Sequence, residues 1–258
     1  MSKRSESDKA IERERYDARA RAALESGEPA EPRFGSEAFD APSREPFLCY
    51  EAFVRTTVRP EHHVLELGAG TGIHTRVLLE TGAKVTATDI SPSSLEVLRR
   101  RFGRRVSLET RVADIEALPF PDASFDVVTC AGSLTYGDPD VVEAGVRRVL
   151  KPGGALILVD VLDHNPIYRI NRWVRYLRGH RTRATLSRMP TLGRIEAIGR
   201  HFADTEMRFF GGLTWAMPMA KLLIGETQAA RLSRQWDRIV GTRRSAFKFV
   251  LLARGKRS

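Results

Sequence analysis

The sequence predicts an α/β protein built on a doubly wound sheet of seven strands, mostly parallel, with an antiparallel last strand. From Val64 onward, short apolar runs alternate with stretches of helical periodicity, which is typical of βαβ units. A glycine-rich loop follows the first run, and a run rich in Phe and Val, Phe247–Ala253, closes the chain. The length of 258 residues suits one large domain with insertions.

Five apolar runs predict five parallel strands, namely Val64–Leu67, Val85–Thr88, Ser107–Arg111, Phe125–Cys130 and Ala155–Val161. Helical periodicity between them predicts the helices Thr75–Thr81, Pro92–Phe102 and Val141–Leu150. Ser91 before Pro92 is a strong helix start, because serine caps the first turn and proline suits its first position. Two later runs, Glu206–Phe210 and Phe247–Ala253, predict a sheet that finishes with an antiparallel edge.

The remaining segments predict an N-terminal arm and helical cap over 1–60, followed by the main domain over 61–258. Residues 1–30 are polar, so we expect a mobile arm or a helix that needs a partner, and Glu45–Val58 is an amphipathic helix. Inserts at about 162–204 and 211–245 interrupt the strand pattern. Helical spacing in the first predicts a core-facing stripe that includes Ile170 and Trp173, and Leu213–Ile239 in the second carries aromatic, Leu and Met residues for packing or an apolar lid.

Composition narrows the classes of partner and location. The formal charge is +10, with 35 Arg against seven Lys, which is compatible with an anionic ligand. No block of five basic residues occurs, so a nucleic-acid partner is not indicated. Cys49 and Cys130 lack the spacing of a disulfide framework or a zinc ribbon, and we predict no metal site. We expect neither a signal peptide nor a membrane span, and therefore a cytoplasmic protein.

The segment Glu66–Gly72 carries the strongest chemical signal. Gly68, Ala69 and Gly70 follow a strand directly, where glycine lets the chain turn sharply and a ligand approach the backbone. The third glycine is Gly72 and position 73 is Ile, so the dinucleotide pattern Gly-x-Gly-x-x-Gly is not met.

Two acidic residues end neighbouring strands at the same edge of the predicted sheet. Asp89 comes 21 positions after Gly68, where a carboxylate can accept both hydroxyls of a ribose, although it could also cap the next helix. Asp114 follows the third strand and could accept from an exocyclic amine such as that of adenine. The three loops are expected to converge on one nucleoside.

With these blocks the chain resembles the class I S-adenosylmethionine-dependent methyltransferases, in particular the type 11 small-molecule subgroup. The resemblance covers about 64–161 and includes the glycine loop, Asp89, Asp114-Ile115, and Phe125–Val128 leading to Leu150–Gly154. It implies a Rossmann-like fold, S-adenosylmethionine as cofactor and methyl transfer as activity. It also implies a cofactor site: Glu66, Gly68, Ala69, Gly70 and Gly72 beside the methionyl part, Asp89 and Ile90 at the ribose, Asp114 and Ile115 at the adenine, and the backbone of Ala131 at the amino group.

The catalytic candidates come after the fifth strand, at the edge where ligands bind in such sheets. His164 is a candidate general base for a hydroxyl or protonated amine, and Asp163 could orient it, while a loop histidine without catalytic role stays open. Tyr136 is a second polar group with access. We predict a small-molecule or saccharide acceptor, anionic in character if the arginines of the first insert recognise it, and O-methylation. RNA methylation and a non-catalytic cofactor-binding regulator stay open, and the sequence names neither acceptor nor oligomeric state.

Overall fold

The computed structural model of the chain describes residues 3–27, 33–103, 105–163, 165, 168–170, 173, 185, 187–239, 243 and 245–257. Within these residues a single sheet has the strand order β3-β2-β1-β4-β5-β7-β6. Its strands are β1 (His63–Leu67), β2 (Lys84–Asp89), β3 (Leu108–Val112), β4 (Phe125–Ala131), β5 (Leu150–Val161), β6 (Phe202–Phe210) and β7 (Lys248–Lys256). Strands β1 to β5 pair in parallel, and β7 runs antiparallel to both of its neighbours.

The α/β doubly wound fold with an antiparallel last strand is thus confirmed. The last strand, β7, lies between β5 and β6, and β6 forms the edge of the sheet. Residues Phe249–Ala253 are fully buried, so this strand needs neighbours on both sides and cover on both faces. In contrast, every residue of β6 after Phe202 is exposed or half-buried, which suits an edge position.

The described helices are α1 (Lys3–Ser26), α2 (Ala41–Thr57), α3 (Thr75–Glu80), α4 (Pro92–Phe102), α5 (Pro139–Val149), α6 (Leu192–Gly199), α7 (Met217–Ile224) and α8 (Glu226–Ile239). Short 3-10 helices occupy Gly35–Ala38, Leu134–Tyr136 and Thr214–Ala216. Helix α4 has the predicted bounds because Ser91 caps it: the Ser91 Oγ accepts a hydrogen bond of 3.0 Å from the Ser94 N–H.

The polar segment at the start of the chain forms a long helix that has a partner. Helix α1 packs against α4, and Asp17 makes the central contact. Its Oδ1 accepts hydrogen bonds from the Ser91 Oγ at 2.6 Å and from the Ser93 N–H at 3.2 Å. Glu12 and Asp17 are buried together with Ala20 while Ile11 is half exposed, so the buried face of α1 is largely polar. Hydrophobic periodicity could not reveal such a face.

Among the described residues of the two inserts, most of the apolar side chains that were expected to pack are exposed. Ile170 and Trp173 are 66% and 58% exposed, so the predicted core-facing stripe is wrong for both, and its other members lie outside the described residues. In the second insert Met217 is buried, but neighbouring Leu, Met and Trp side chains are exposed. The two faces of the sheet are already closed by α2 and α3 on one side and by α5 and α6 on the other, so little core surface remains for them. Among the described helices, none is long and apolar enough to cross a bilayer.

Candidate functional site

A cavity of about 470 Å³ opens at the carboxyl edge of the parallel strands. Its walls are the loops that follow β1 to β4 together with one side of helix α1. The volume falls in the range of small-molecule sites. Eight predicted cofactor residues line the cavity: Gly68, Ala69, Gly70, Asp89, Ile90, Asp114, Ile115 and Ala131.

The glycine loop serves both packing and access. Gly68 has a φ of 63°, and a Cβ there would lie 2.1 Å from the Ser133 Oγ, whose hydroxyl donates a 3.3 Å hydrogen bond to the Gly68 carbonyl. Gly70 has a φ of 54°, and a Cβ built on it would meet no other atom within 4 Å. Gly68 therefore lets two loops approach each other, while Gly70 leaves open space on the cavity wall where a ligand can reach the backbone.

Asp89 ties the glycine loop to the loop after β2. Its Oδ2 accepts a hydrogen bond from the Gly70 N–H at 2.8 Å, and its Oδ1 accepts one from the Ser91 N–H at 2.8 Å. Burial raises the pKa of this carboxyl, and the amide hydrogen bonds counteract part of that shift. Since Ser91 supplies the helix cap, Asp89 is not needed for that role. Each carboxylate oxygen can accept a second hydrogen bond, so capacity for two hydroxyl donors remains.

Asp114 already has a cationic partner, which the sequence did not indicate. The Lys9 Nζ of α1 lies 2.5 Å from the Asp114 Oδ2 and 2.6 Å from the Glu116 Oε2. The Asp114 Oδ1 accepts from the Glu116 N–H at 2.9 Å. Burial lowers the pKa of Lys9, but the two carboxylates outweigh this effect and the net pKa is raised. An amine donor from a ligand would therefore share Asp114 with Lys9.

Glu66 and Gly72 are not among the residues that line the cavity. Gly72 lies against Phe102 of α4. Glu66 is buried behind the loop, and its Oε2 accepts a hydrogen bond of 2.7 Å from the Thr75 hydroxyl. Burial raises the pKa of Glu66 to about 7, despite the hydrogen bond from Thr75. In this structure both predicted residues support the glycine loop from behind.

Tyr136, a candidate from the sequence, lines the cavity together with Tyr16 and His74, which the sequence did not assign to the site. The hydroxyls of Tyr16, from α1, and Tyr136, from the loop after β4, are 2.6 Å apart. The His74 ring stacks on Phe47 with centroids 5.1 Å apart, and its buried Nδ1 has no hydrogen-bond partner among the described residues. Burial lowers the pKa of His74 to about 4, so its imidazole is neutral at pH 7. No periodic signal marks Tyr16, because α1 is polar on all sides.

Of the predicted catalytic pair His164 and Asp163, the structure describes only Asp163. His164 lies outside the described residues. Asp163 donates its backbone N–H to the Pro190 carbonyl at 2.8 Å, and its carboxylate lies 3.7 Å from the Arg169 Nε, away from the cavity lining. The orienting role of Asp163 stays a prediction. Within the described ranges, no group of three or more His, Cys, Asp or Glu residues is arranged to hold a metal ion.

Part of the chain that carries this site is similar to known proteins. Residues 65–158 match a family model described as a methyltransferase domain of type 11. The demethylmenaquinone methyltransferase of Tropheryma whipplei (strain Twist) is 39% identical over 121 residues, 44% of this chain and 48% of that protein. The O-methyltransferase cnsE of Penicillium expansum is 35% identical over 124 residues, 46% of this chain and 45% of that protein.

Similarity of fold extends further than similarity of sequence. The structure of Haemonchus contortus phosphoethanolamine N-methyltransferase 2 in complex with S-adenosyl-L-methionine superposes with a TM-score of 0.58 at 19% identity. The superposition covers 82% of this chain and 53% of that one. The matched part of this chain spans about half the length of each curated relative. Residues 65–158 therefore match the model of a methyltransferase domain, and the fold is similar to that of a methyltransferase solved with S-adenosyl-L-methionine.

Proposed function

We propose that this protein transfers a methyl group from S-adenosylmethionine to an oxygen of a small hydroxylated molecule, saccharides included. The observation that carries the proposal is the 2.8 Å hydrogen bond from the Gly70 N–H to the Asp89 carboxylate, next to open space on the cavity wall. A carboxylate at the end of β2 and a glycine loop with an accessible backbone suit a nucleoside that carries a charged methionyl group. When bound, the cofactor would supply an activated methyl group on a sulfonium, which is displaced in line.

Different residues of the cavity would bind different parts of the cofactor. Asp89 and Ile90 would take the ribose, Asp114 and Ile115 would frame the adenine, and the backbone at Gly70 and Ala131 would face the methionyl part. The residues of α1 cover the same cavity from the outside. Covering the site excludes water, and positioning with water exclusion provides much of the acceleration in this chemistry.

The acceptor side of the cavity offers hydroxyl groups, which supports an oxygen acceptor. Tyr16 and Tyr136 form the hydroxyl pair described above, Thr135 also lines the cavity, and Arg188 adds a positive charge compatible with an anionic acceptor. His164, oriented by Asp163, remains the proposed proton acceptor because it follows β5 at the ligand edge. We also propose a cytoplasmic location, since Cys49 and Cys130 are free thiols.

Calorimetry with S-adenosylmethionine tests the cofactor site. Asp89→Ala should weaken binding by about 1.5–3 kcal/mol, because hydrogen bonds to a charged group are lost. Asp122→Ala, an exposed acid distant from the cavity, is the control and should bind like the wild type. Unchanged affinity in Asp89→Ala would contradict the ribose role.

Labelled methyl transfer to nucleotide sugars, glycans and small phenols tests the reaction. We expect product with at least one hydroxyl acceptor, and His164→Ala should lower turnover by roughly 10²–10⁴ while cofactor affinity stays intact. Tight cofactor binding with no transfer to any acceptor would favour the non-catalytic regulator instead.

A further inference from the structure

Helix α7 presents an apolar surface to solvent. Leu222 and Leu223 are 81% and 73% exposed, and Met219 is 62% exposed. Together with three exposed residues around them they form what we call the insert patch: Trp215, Met219, Leu222, Leu223, Trp236 and Ile239. Single exposed apolar residues are common on protein surfaces, but several large ones on two helices in contact favour an interaction site.

Helix α8 explains why part of this patch is not turned inward. Its buried face consists of the small residues Ala229, Ala230 and Ser233. Leu232, Trp236 and Ile239 follow at positions i, i+4 and i+7, so they form a second stripe beside that face. The fold uses the face of small residues for packing and leaves the stripe of large apolar residues unpartnered.

Helices α7 and α8 together carry a net charge of +2, from Lys221, Arg231, Arg234 and Arg238 against Glu226 and Asp237. The two acids keep their negative charge while accepting hydrogen bonds: Glu226 accepts from the Ala41 N–H at 2.9 Å, and Asp237 accepts from the N–H groups of Gly211 and Gly212. Arg231 and Arg238 are exposed, and neither has an ion-pair partner in the described part of the structure. The chain as a whole carries a formal charge of +10.

The insert patch also lies on the same side of the protein as the cavity. The insert follows β6, which runs parallel to β5 because both are antiparallel to β7, so it starts at the ligand-binding edge. Lys221 of α7 pairs with Asp40, and the preceding Phe39 lines the cavity. A surface that covered the patch would therefore face the cavity region.

We propose that the insert patch docks onto the surface of a bilayer containing anionic phospholipids. Exposed Leu and Met side chains would enter the acyl region, Trp215 and Trp236 suit the headgroup boundary, and Arg231 and Arg238 would meet lipid phosphates. A second copy of this chain is a poorer occupant, because two identical patches would bring four unpaired arginines and two strongly positive chains together.

Flotation of the whole protein with vesicles tests this proposal. We expect binding to vesicles of phosphatidylcholine mixed with phosphatidylglycerol, and about tenfold weaker binding to phosphatidylcholine alone. Leu222→Ser/Leu223→Ser should weaken binding to the mixed vesicles by about tenfold or more, and Arg231→Glu/Arg238→Glu should remove the preference for anionic lipid. The measurement needs no cofactor, so its outcome is independent of the proposed function.

Two control variants match these changes elsewhere on the surface. Val106→Ser removes an exposed apolar side chain far from the insert, and Arg59→Glu/Arg257→Glu makes the same charge change at the opposite edge of the sheet. Both should bind vesicles like the wild type. Equal binding to both lipid mixtures, no binding at all, or a dimer that dissociates in Leu222→Ser/Leu223→Ser would overturn the proposal.

Discussion

Helix α1 and the α7–α8 insert expose and bury opposite kinds of side chain. Helix α1 buries Glu12 and Asp17 and leaves Ile11 half exposed, while the insert exposes Leu222 and Leu223. The buried acids of α1 have hydrogen-bond or ion-pair partners, as Asp17 has with Ser91 and Glu12 with Arg15. The insert has no such explanation within the described residues. A polar face that is buried and satisfied belongs to the fold, whereas a large apolar face left in water indicates a partner.

Glu66 sharpens this comparison, because it is a buried acid whose described hydrogen-bond partner is a hydroxyl rather than a cation. Its pKa of about 7 lies above the usual 4.5, so the folded state holds a proton that the unfolded state releases between these pH values. Stability therefore falls as pH rises through that window. Relative to wild type, Glu66→Gln should gain roughly 2–3 kcal/mol in unfolding free energy between pH 5 and pH 8, measured by urea denaturation.

The prediction for Glu66 would be contradicted if the difference in unfolding free energy between Glu66→Gln and wild type stayed constant from pH 5 to pH 8. That outcome would mean that the carboxyl titrates normally and that its burial costs little. Thr75→Val, which removes the hydroxyl donor, should raise the pKa of Glu66 further and extend the fall in stability to higher pH.

Asp17 tests whether α1 is held by its polar contacts. Asp17→Ala should lower the unfolding free energy by about 1.5–3 kcal/mol, because the hydrogen bonds from Ser91 and Ser93 to a carboxylate are lost. Hydrogen exchange along α1 should speed up at the same time. Glu25→Ala, on an exposed position of the same helix, is the control. Equal stability of the two variants would show that α1 docks through other contacts.

The smallest effect is expected in the insert. Leu222→Ser should change the unfolding free energy by less than about 0.5 kcal/mol, since the side chain is mostly in water already. Leu98→Ala, on the buried face of α4, should cost about 2–5 kcal/mol in the same urea titration. A loss of more than about 1 kcal/mol of unfolding free energy in Leu222→Ser would mean that the insert patch packs against the rest of the protein. The difference between the insert and α1 would then not hold.

Much of the sheet could be predicted because its local patterns agree with its burial. Helix α4 has its predicted bounds, and the strands β1 to β4 begin and end within a residue of the predicted runs. The start of β5 differs, since the strand begins at Leu150 rather than Ala155 and its register against β4 shifts between Phe125 and Val127. The placement of β7 inside the sheet depends on which strands are buried by the helices on both faces. The sequence alone does not give the spatial order of the strands.

The sequence by itself determined the βαβ framework and the loops of the candidate cofactor site, because glycine and aspartate at strand ends follow local backbone and hydrogen-bond rules. Only the tertiary structure decided that Lys9 meets Asp114, that Tyr16 meets Tyr136 and that Glu66 sits behind the cavity wall. These contacts join residues far apart in the chain, and polar docking leaves no periodic signal. The exposure of the insert patch could not be predicted from the sequence either, because it depends on other helices already covering both faces of the sheet.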